Sequence, residues 1–115
     1  MTIEELYAAI DSDYNEVLSR LINATLIVRL VKLYKNDANY ASLCAGMEER
    51  DREKIFTASH TIKGLALNLG FKDLAATAAE LCEATRNSYA ENVPALFEAV
   101  AGEQKKVMDL IDQLD

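Results

Sequence analysis

Residues 51–70, DREKIFTASHTIKGLALNLG, decide how this chain is read. At about 100° per residue, Ile55, Ala58, Ile62, Leu65, Ala66 and Leu69 fall within one apolar stripe, as a helix packed on a core requires. Asp51 stands where an N-cap accepts the first free N–H groups, and Gly70 stands where a left-handed residue ends a helix. The spacing therefore predicts a helix over about 51–69. His60, the only histidine among 115 residues, lies opposite the stripe. Lys63 and Gly64 follow at the i+3 and i+4 positions that make helical neighbours. A solvent-facing glycine inside a helix costs about 1 kcal/mol relative to alanine. Either another surface comes close to the imidazole there, or the glycine is simply tolerated. Phe56 and Leu67 frame the polar centre like a small docking patch. Phe56 also lies near the core boundary, so packing and docking both remain open for it.

The rest of the chain reads as helix too. Thr2 and Glu5 form a capping-box pair ahead of IEELYAAI. Asp11, Ser12 and Asp13 are all competent caps for the helix that follows. ATLIVRLVKLYK is apolar over more than one face, as a central bundle helix would be, and KNDANY interrupts it. Asp37 can cap a new helix through ANYASLCAGMEE, or residues 23–48 form one kinked helix. An Ala-rich helix is expected from about Lys72 to Asn87, with Leu74, Ala78, Leu81 and Thr85 on one stripe. Asn92 is the expected cap of the last helix, with Pro94 in its first turn, where a missing N–H costs nothing. Its stripe is Leu96, Val100, Val107, Leu110, Ile111 and Leu114. Glu103 falls in that stripe, so the helix either runs past the core or turns Glu103 to its edge.

No segment alternates with period two, so no strand is predicted. Short connections favour antiparallel neighbours. The expectation is an all-α, antiparallel up-and-down four-helix bundle forming a single domain over 1–115. Within it, residues 1–22 supply short N-terminal helices and 23–115 the bundle. The composition, 50% hydrophobic and 27% charged with one proline, suits one compact helical core.

A net charge of −7 argues against nucleic acid, which needs a basic stripe. No run is long and apolar enough for a membrane span, and the N-terminal residues lack a signal-peptide pattern. Cys44 and Cys82 read as two buried thiols rather than a disulfide, which makes the cytoplasm the expected location.

One histidine can do few kinds of chemistry. Metal binding wants further ligands, and none stands at ligand spacing, so no metal or cofactor is expected. Acid–base catalysis wants a pocket, for which a small bundle has little room. Ser59 is next to His60 in sequence, but adjacent side chains diverge on a helix, so a Ser–His pair gains no support. Nucleophilic use remains: a neutral imidazole nitrogen can attack phosphorus and hold a phosphoryl group. Lys63, one turn away, supplies a cation for the phosphoryl oxygens. No phosphate-cradling loop or ATP motif accompanies them, so donor and acceptor must be other proteins.

SHTIKGLALNLGFKDLA resembles the motif of histidine-containing phosphotransfer (HPt) domains of bacterial two-component phosphorelays. The matching residues are His60, Ile62, Lys63, Gly64, Leu69 and Gly70. The resemblance extends over the helix order from about Leu26 to Arg86. It implies a stoichiometric carrier rather than an enzyme. His60 would take a phosphoryl group from a receiver-domain aspartate, or from a sensor histidine kinase, and pass it to a response regulator. Lys63 would stabilise the phosphate and Gly64 would give docking clearance. Mg2+ in such an exchange belongs to the partner receiver. The chain is expected to act as a monomer. Ser59 replaces a commoner alanine, and Leu67 stands where many members carry a small residue, so the docking orientation around Leu67 is open. IFTASHTIKG…LGF is also similar to the phosphotransfer domain of chemotaxis-type kinases, but no kinase portion accompanies it here, which favours a stand-alone module. A different class of function, a helical adaptor that docks on a receiver or kinase without carrying phosphate, is the alternative. A structural bundle with an incidental His60 is a third.

Overall fold

A computed structural model describes all residues, 1–115, as seven helices without a strand. They are α1 (Ile3–Ala9), α2 (Tyr14–Leu21), α3 (Ala24–Tyr34), α4 (Asn39–Glu49), α5 (Arg52–Leu69), α6 (Lys72–Ala84) and α7 (Val93–Asp112). The N-caps explain several starts. Thr2 and Glu5 form the reciprocal capping box of α1, while Asp13, Asn23 and Asp51 each accept a backbone N–H at the head of α2, α3 and α5. Of the three competent residues before α2, Asp13 does the capping.

Residues 23–48 form two helices rather than one kinked helix. The break falls at 35–38, where Asp37 Oδ1 accepts from the Asn39 backbone N–H, 2.9 Å, beside the N-cap Ala38. The two helices nonetheless occupy successive lengths of one side of the bundle. Leu30 and Leu33 of α3 lie beside Leu65 and Leu69, at the far end of α5. Gly46 of α4 packs on Ile55, near the start of α5. Along α7 the order also reverses: Tyr34 meets Gln104, and Tyr40 stacks on Phe97 with centroids 6.4 Å apart. The pair α3–α4 therefore runs antiparallel to both α5 and α7, and with α6 completes an up-and-down four-helix bundle.

Its core is the set of stripes read from the sequence, with instructive differences. Ile55, Ala58, Ile62, Ala66 and Leu69 of α5 are buried, as are Leu74, Ala78, Leu81 and Thr85 on the α6 side. Ser59 is also fully buried, its hydroxyl donating to the Ile55 carbonyl at 2.7 Å. In α7 the buried polar residue is Gln104 rather than Glu103, which sits half-buried at the edge. Burying an amide without a partner would cost about 1–3 kcal/mol, and the Tyr34 hydroxyl meets that need by donating to Gln104 Oε1 at 2.6 Å. The α6 helix ends at Ala84, three residues before the expected Asn87. There Arg52, from the first turn of α5, donates to the Thr85 and Arg86 carbonyls at 2.8 and 2.9 Å. Within the last turn the Thr85 hydroxyl donates to the Leu81 carbonyl and the Ala90 N–H to the Ala84 carbonyl, while the Arg52 bonds hold the chain just past the helix end. Asn92 is the N-cap residue of α7 but makes no side-chain cap bond; Pro94 lies in the first turn as expected.

Helices α1 and α2 close the end of the bundle where α5 turns into α6. The Tyr7 hydroxyl donates to the Leu69 carbonyl at 2.6 Å, and Arg20 reaches the Asn68 carbonyl at 3.0 Å. Gly70 has φ 77°, and a Cβ there would collide with Val17. Only glycine fits both the backbone and the space. The result is 40 × 23 × 19 Å, with α5 running along the bundle and one of its faces left uncovered.

Candidate functional site

The uncovered face of α5 follows from its sequence. The apolar stripe commits one side to the core, and α4 and α6 cover the flanks. What remains outward is centred on His60, which is exposed. Gly64 is exposed one turn on, Lys63 is half-buried beside it, and Leu67 is 55% exposed a further turn along. The structure thus brings Phe56, His60, Lys63 and Gly64 together, with Leu67 at the end nearest α2. The Leu67 carbonyl accepts from Arg20 at 3.3 Å, so its backbone is tied to α2 while its side chain stays open.

Lys63 makes no hydrogen bond or ion pair within the chain, which leaves its ammonium available. Its charge is nevertheless felt across the helix pair. The Glu83 carboxyl on α6 is held below the usual carboxylate range, first by its bond to Arg86 and in smaller part by Lys63. At Gly64 an added Cβ would meet nothing within 4 Å. No internal packing therefore demands a glycine. Gly102 on α7 is equally open, so open space alone does not mark a site. Gly64 is set apart by its place one turn from the histidine.

Phe56 is half-buried, and its position answers the choice between core and docking in an unexpected way. Its ring stacks on the His60 imidazole, with centroids 6.0 Å apart and planes 19° from parallel. The Arg86 guanidinium lies over the Phe56 ring at 5.2 Å, and Glu83 holds that guanidinium at 2.7 Å. On the other edge of the imidazole, Cys82 Sγ lies 4.0 Å from Nδ1. Cys82 reads correctly from sequence as a buried thiol, but its neighbour does not, because 22 residues and a turn separate it from His60. Arg86 and Glu83 escape sequence reading for the same reason. They form an (i, i+3) ion pair with each other, but Arg86 meets Phe56 only because α6 packs antiparallel on α5.

None of the five surface clefts is lined by His60. The imidazole stands on a convex surface, suited to a reacting group brought in by another macromolecule rather than a small molecule enclosed in a pocket. No three His, Cys, Asp or Glu side chains converge as a metal-ligand set. No helix is long and apolar enough to cross a membrane.

A helical bundle with a lone outward histidine, a free lysine one turn on and a glycine beside it has the form of a phosphoryl-carrying module. The family model described as Hpt domain matches residues 2–115, and the chain belongs to that family. Its members are phosphotransfer carriers of phosphorelays, working with receiver domains and kinases. No curated protein and no solved structure matches the chain.

Proposed function

We propose that this chain carries a phosphoryl group on His60 between proteins of a two-component phosphorelay. The observation that bears most weight is the exposure of His60 on the one uncovered face of α5, with the unpaired Lys63 and the open Gly64 one turn away. Nδ1 faces α6, so Nε2 is the nitrogen an incoming donor would meet. In the proposed step, the Nε2 lone pair attacks the phosphorus of a receiver's aspartyl phosphate, or of the γ-phosphate of a nucleotide held by a kinase. The N–P bond forms as the P–O bond breaks, and the leaving oxygen keeps the bonding pair. Reversal onto a response-regulator aspartate returns the imidazole. Lys63 offers its ammonium to the phosphoryl oxygens, where charge-assisted hydrogen bonds are stronger than neutral ones. Gly64 keeps the helix surface low, and Leu67 adds an apolar contact at the rim of the docking face. Phe56 contributes to that face through its exposed edge. The divalent cation of the exchange, Mg2+, belongs to the receiver. The carrier acts as a cytoplasmic monomer.

The test is incubation with a phosphorylated receiver. The wild type should acquire an acid-labile, base-stable label, and His60→Gln should acquire none while keeping its helical spectrum and melting temperature. Binding to the receiver without any label on the wild type would refute the carrier and leave an adaptor.

A further inference from the structure

An exposed imidazole on a helix ordinarily samples several rotamers and both neutral tautomers. Here two contacts restrict it. Phe56 lies near-parallel to the ring and offset from it, with centroids 6.0 Å apart, and is itself held under the Arg86 guanidinium. The Cys82 thiol, 1% exposed, meets the Nδ1 edge at 4.0 Å. That sulfur is the only hydrogen-bonding partner Nδ1 has.

Building on the carrier reading, we propose that Cys82 and Phe56 are positioning residues that present Nε2 of His60 as the nucleophile, Phe56 by restricting the ring plane and Cys82 by accepting a hydrogen bond from Nδ1–H. A nitrogen that carries its proton cannot attack, so the tautomer decides which end of the ring is reactive. With Nδ1–H directed at the sulfur, the Nε2 lone pair points to solvent. The sulfur accepts weakly in the free protein. Its role grows during transfer: as Nε2 bonds to phosphorus, the ring becomes more cationic and Nδ1–H a stronger donor. Nδ1 keeps its proton through the step, no proton need leave the site, and the polarizable sulfur stabilises the developing charge. Lys63 is then free to serve the phosphoryl oxygens, since it is not needed to orient the ring.

Two readouts on the full chain test this. Nitrogen-15 spectra of the neutral His60 imidazole should show the Nδ1–H tautomer predominating in the wild type. Cys82→Ala should shift the population towards Nε2–H, and Cys82→Ser, whose hydroxyl also accepts, should restore it. The second readout is labelling by phosphoramidate, a small donor that needs no docking surface. Cys82→Ala and Phe56→Leu should each label roughly 3- to 10-fold more slowly, as expected for losing one modest interaction, and Cys82→Ser should recover most of the rate. A wild type with its proton on Nε2, or a folded Cys82→Ala with an unchanged tautomer ratio, would overturn the assignment. The tautomer is read without any phosphoryl transfer, so it stands apart from the carrier reading. A wild type that holds Nδ1–H yet never labels would refute the carrier and Nε2 as nucleophile together.

Discussion

Glycine substitutions separate stability from transfer, because the structure assigns different environments to three glycines. At Gly64 and Gly102 an added Cβ meets nothing within 4 Å, and both lie within helices. Alanine at either should therefore recover the helix-propensity difference of about 1 kcal/mol. For a domain of this size that raises the melting temperature by about 4 °C. Gly70 is the opposite case, with φ 77° and Val17 in the way, so Gly70→Ala should destabilise by roughly 1–3 kcal/mol. Function should not follow stability. Gly102→Ala should transfer phosphate like the wild type. Gly64→Leu, whose helix is also more stable than the wild type's, should place a bulky side chain one turn from His60, in the path of a docking protein. Overpacking of about 1–3 kcal/mol at such an interface corresponds to roughly 5- to 150-fold slower transfer from a phosphorylated receiver. Labelling by phosphoramidate, which needs no docking, should stay near the wild-type rate. Thermal melts and rapid-quench transfer assays on the same preparations measure both effects. A Gly64→Ala protein less stable than the wild type would mean that the glycine answers an internal need. Unchanged receiver transfer in Gly64→Leu would remove the clearance argument altogether.

Three further outcomes are expected. Lys63→Ala should change stability by no more than about 0.5 kcal/mol, since the side chain has no partner within the chain, while transfer slows roughly 10- to 100-fold; an unfolded mutant would make Lys63 structural. Tyr34→Phe strands the buried Gln104 amide and should cost about 1–3 kcal/mol in urea unfolding with an unchanged denaturant slope; a neutral substitution would mean that Gln104 finds water or another partner. Burial holds the Tyr7 and Tyr34 phenols above their usual value and pushes Tyr40 up to about 12. An unfolded tyrosine loses its proton near pH 10, so above that point the folded state binds more protons than the unfolded one. Stability should accordingly be retained below pH ~10 and fall as the pH climbs towards the folded values. Denaturation midpoints that stay level across that window, or tyrosinate absorbance of all five tyrosines rising together at the ordinary value in the folded protein, would contradict the burial.

The sequence by itself determined the helices and the sidedness of α5. A stripe of Ile55, Ala58, Ile62, Ala66 and Leu69 must leave water, and with a period of 3.6 that leaves His60 outside whatever the partner helices are. Asp51 and Gly70 likewise mark the ends of α5 through local hydrogen bonding and backbone sterics, which need no tertiary information. Other features depend on which helix lies beside which. The turn at 35–38 ends one helix and starts another, with Asp37 Oδ1 accepting from the Asn39 backbone N–H, a choice that apolar periodicity does not encode because both readings carry the same stripe. The α6 helix stops at Ala84, where the Ala84 carbonyl accepts from Ala90 rather than continuing the helix, and Arg52, 33 residues earlier than Thr85, ties down the carbonyls just past that end. Gln104 rather than Glu103 enters the core, where the Tyr34 hydroxyl donates to its amide oxygen at the cost of burying a neutral group, whereas a carboxylate there would bury a charge. The same holds at the histidine. Its exposure is a local property of one helix, but the contacts that hold its ring, Cys82 at Nδ1 and Arg86 over Phe56, exist only because α6 returns antiparallel along α5.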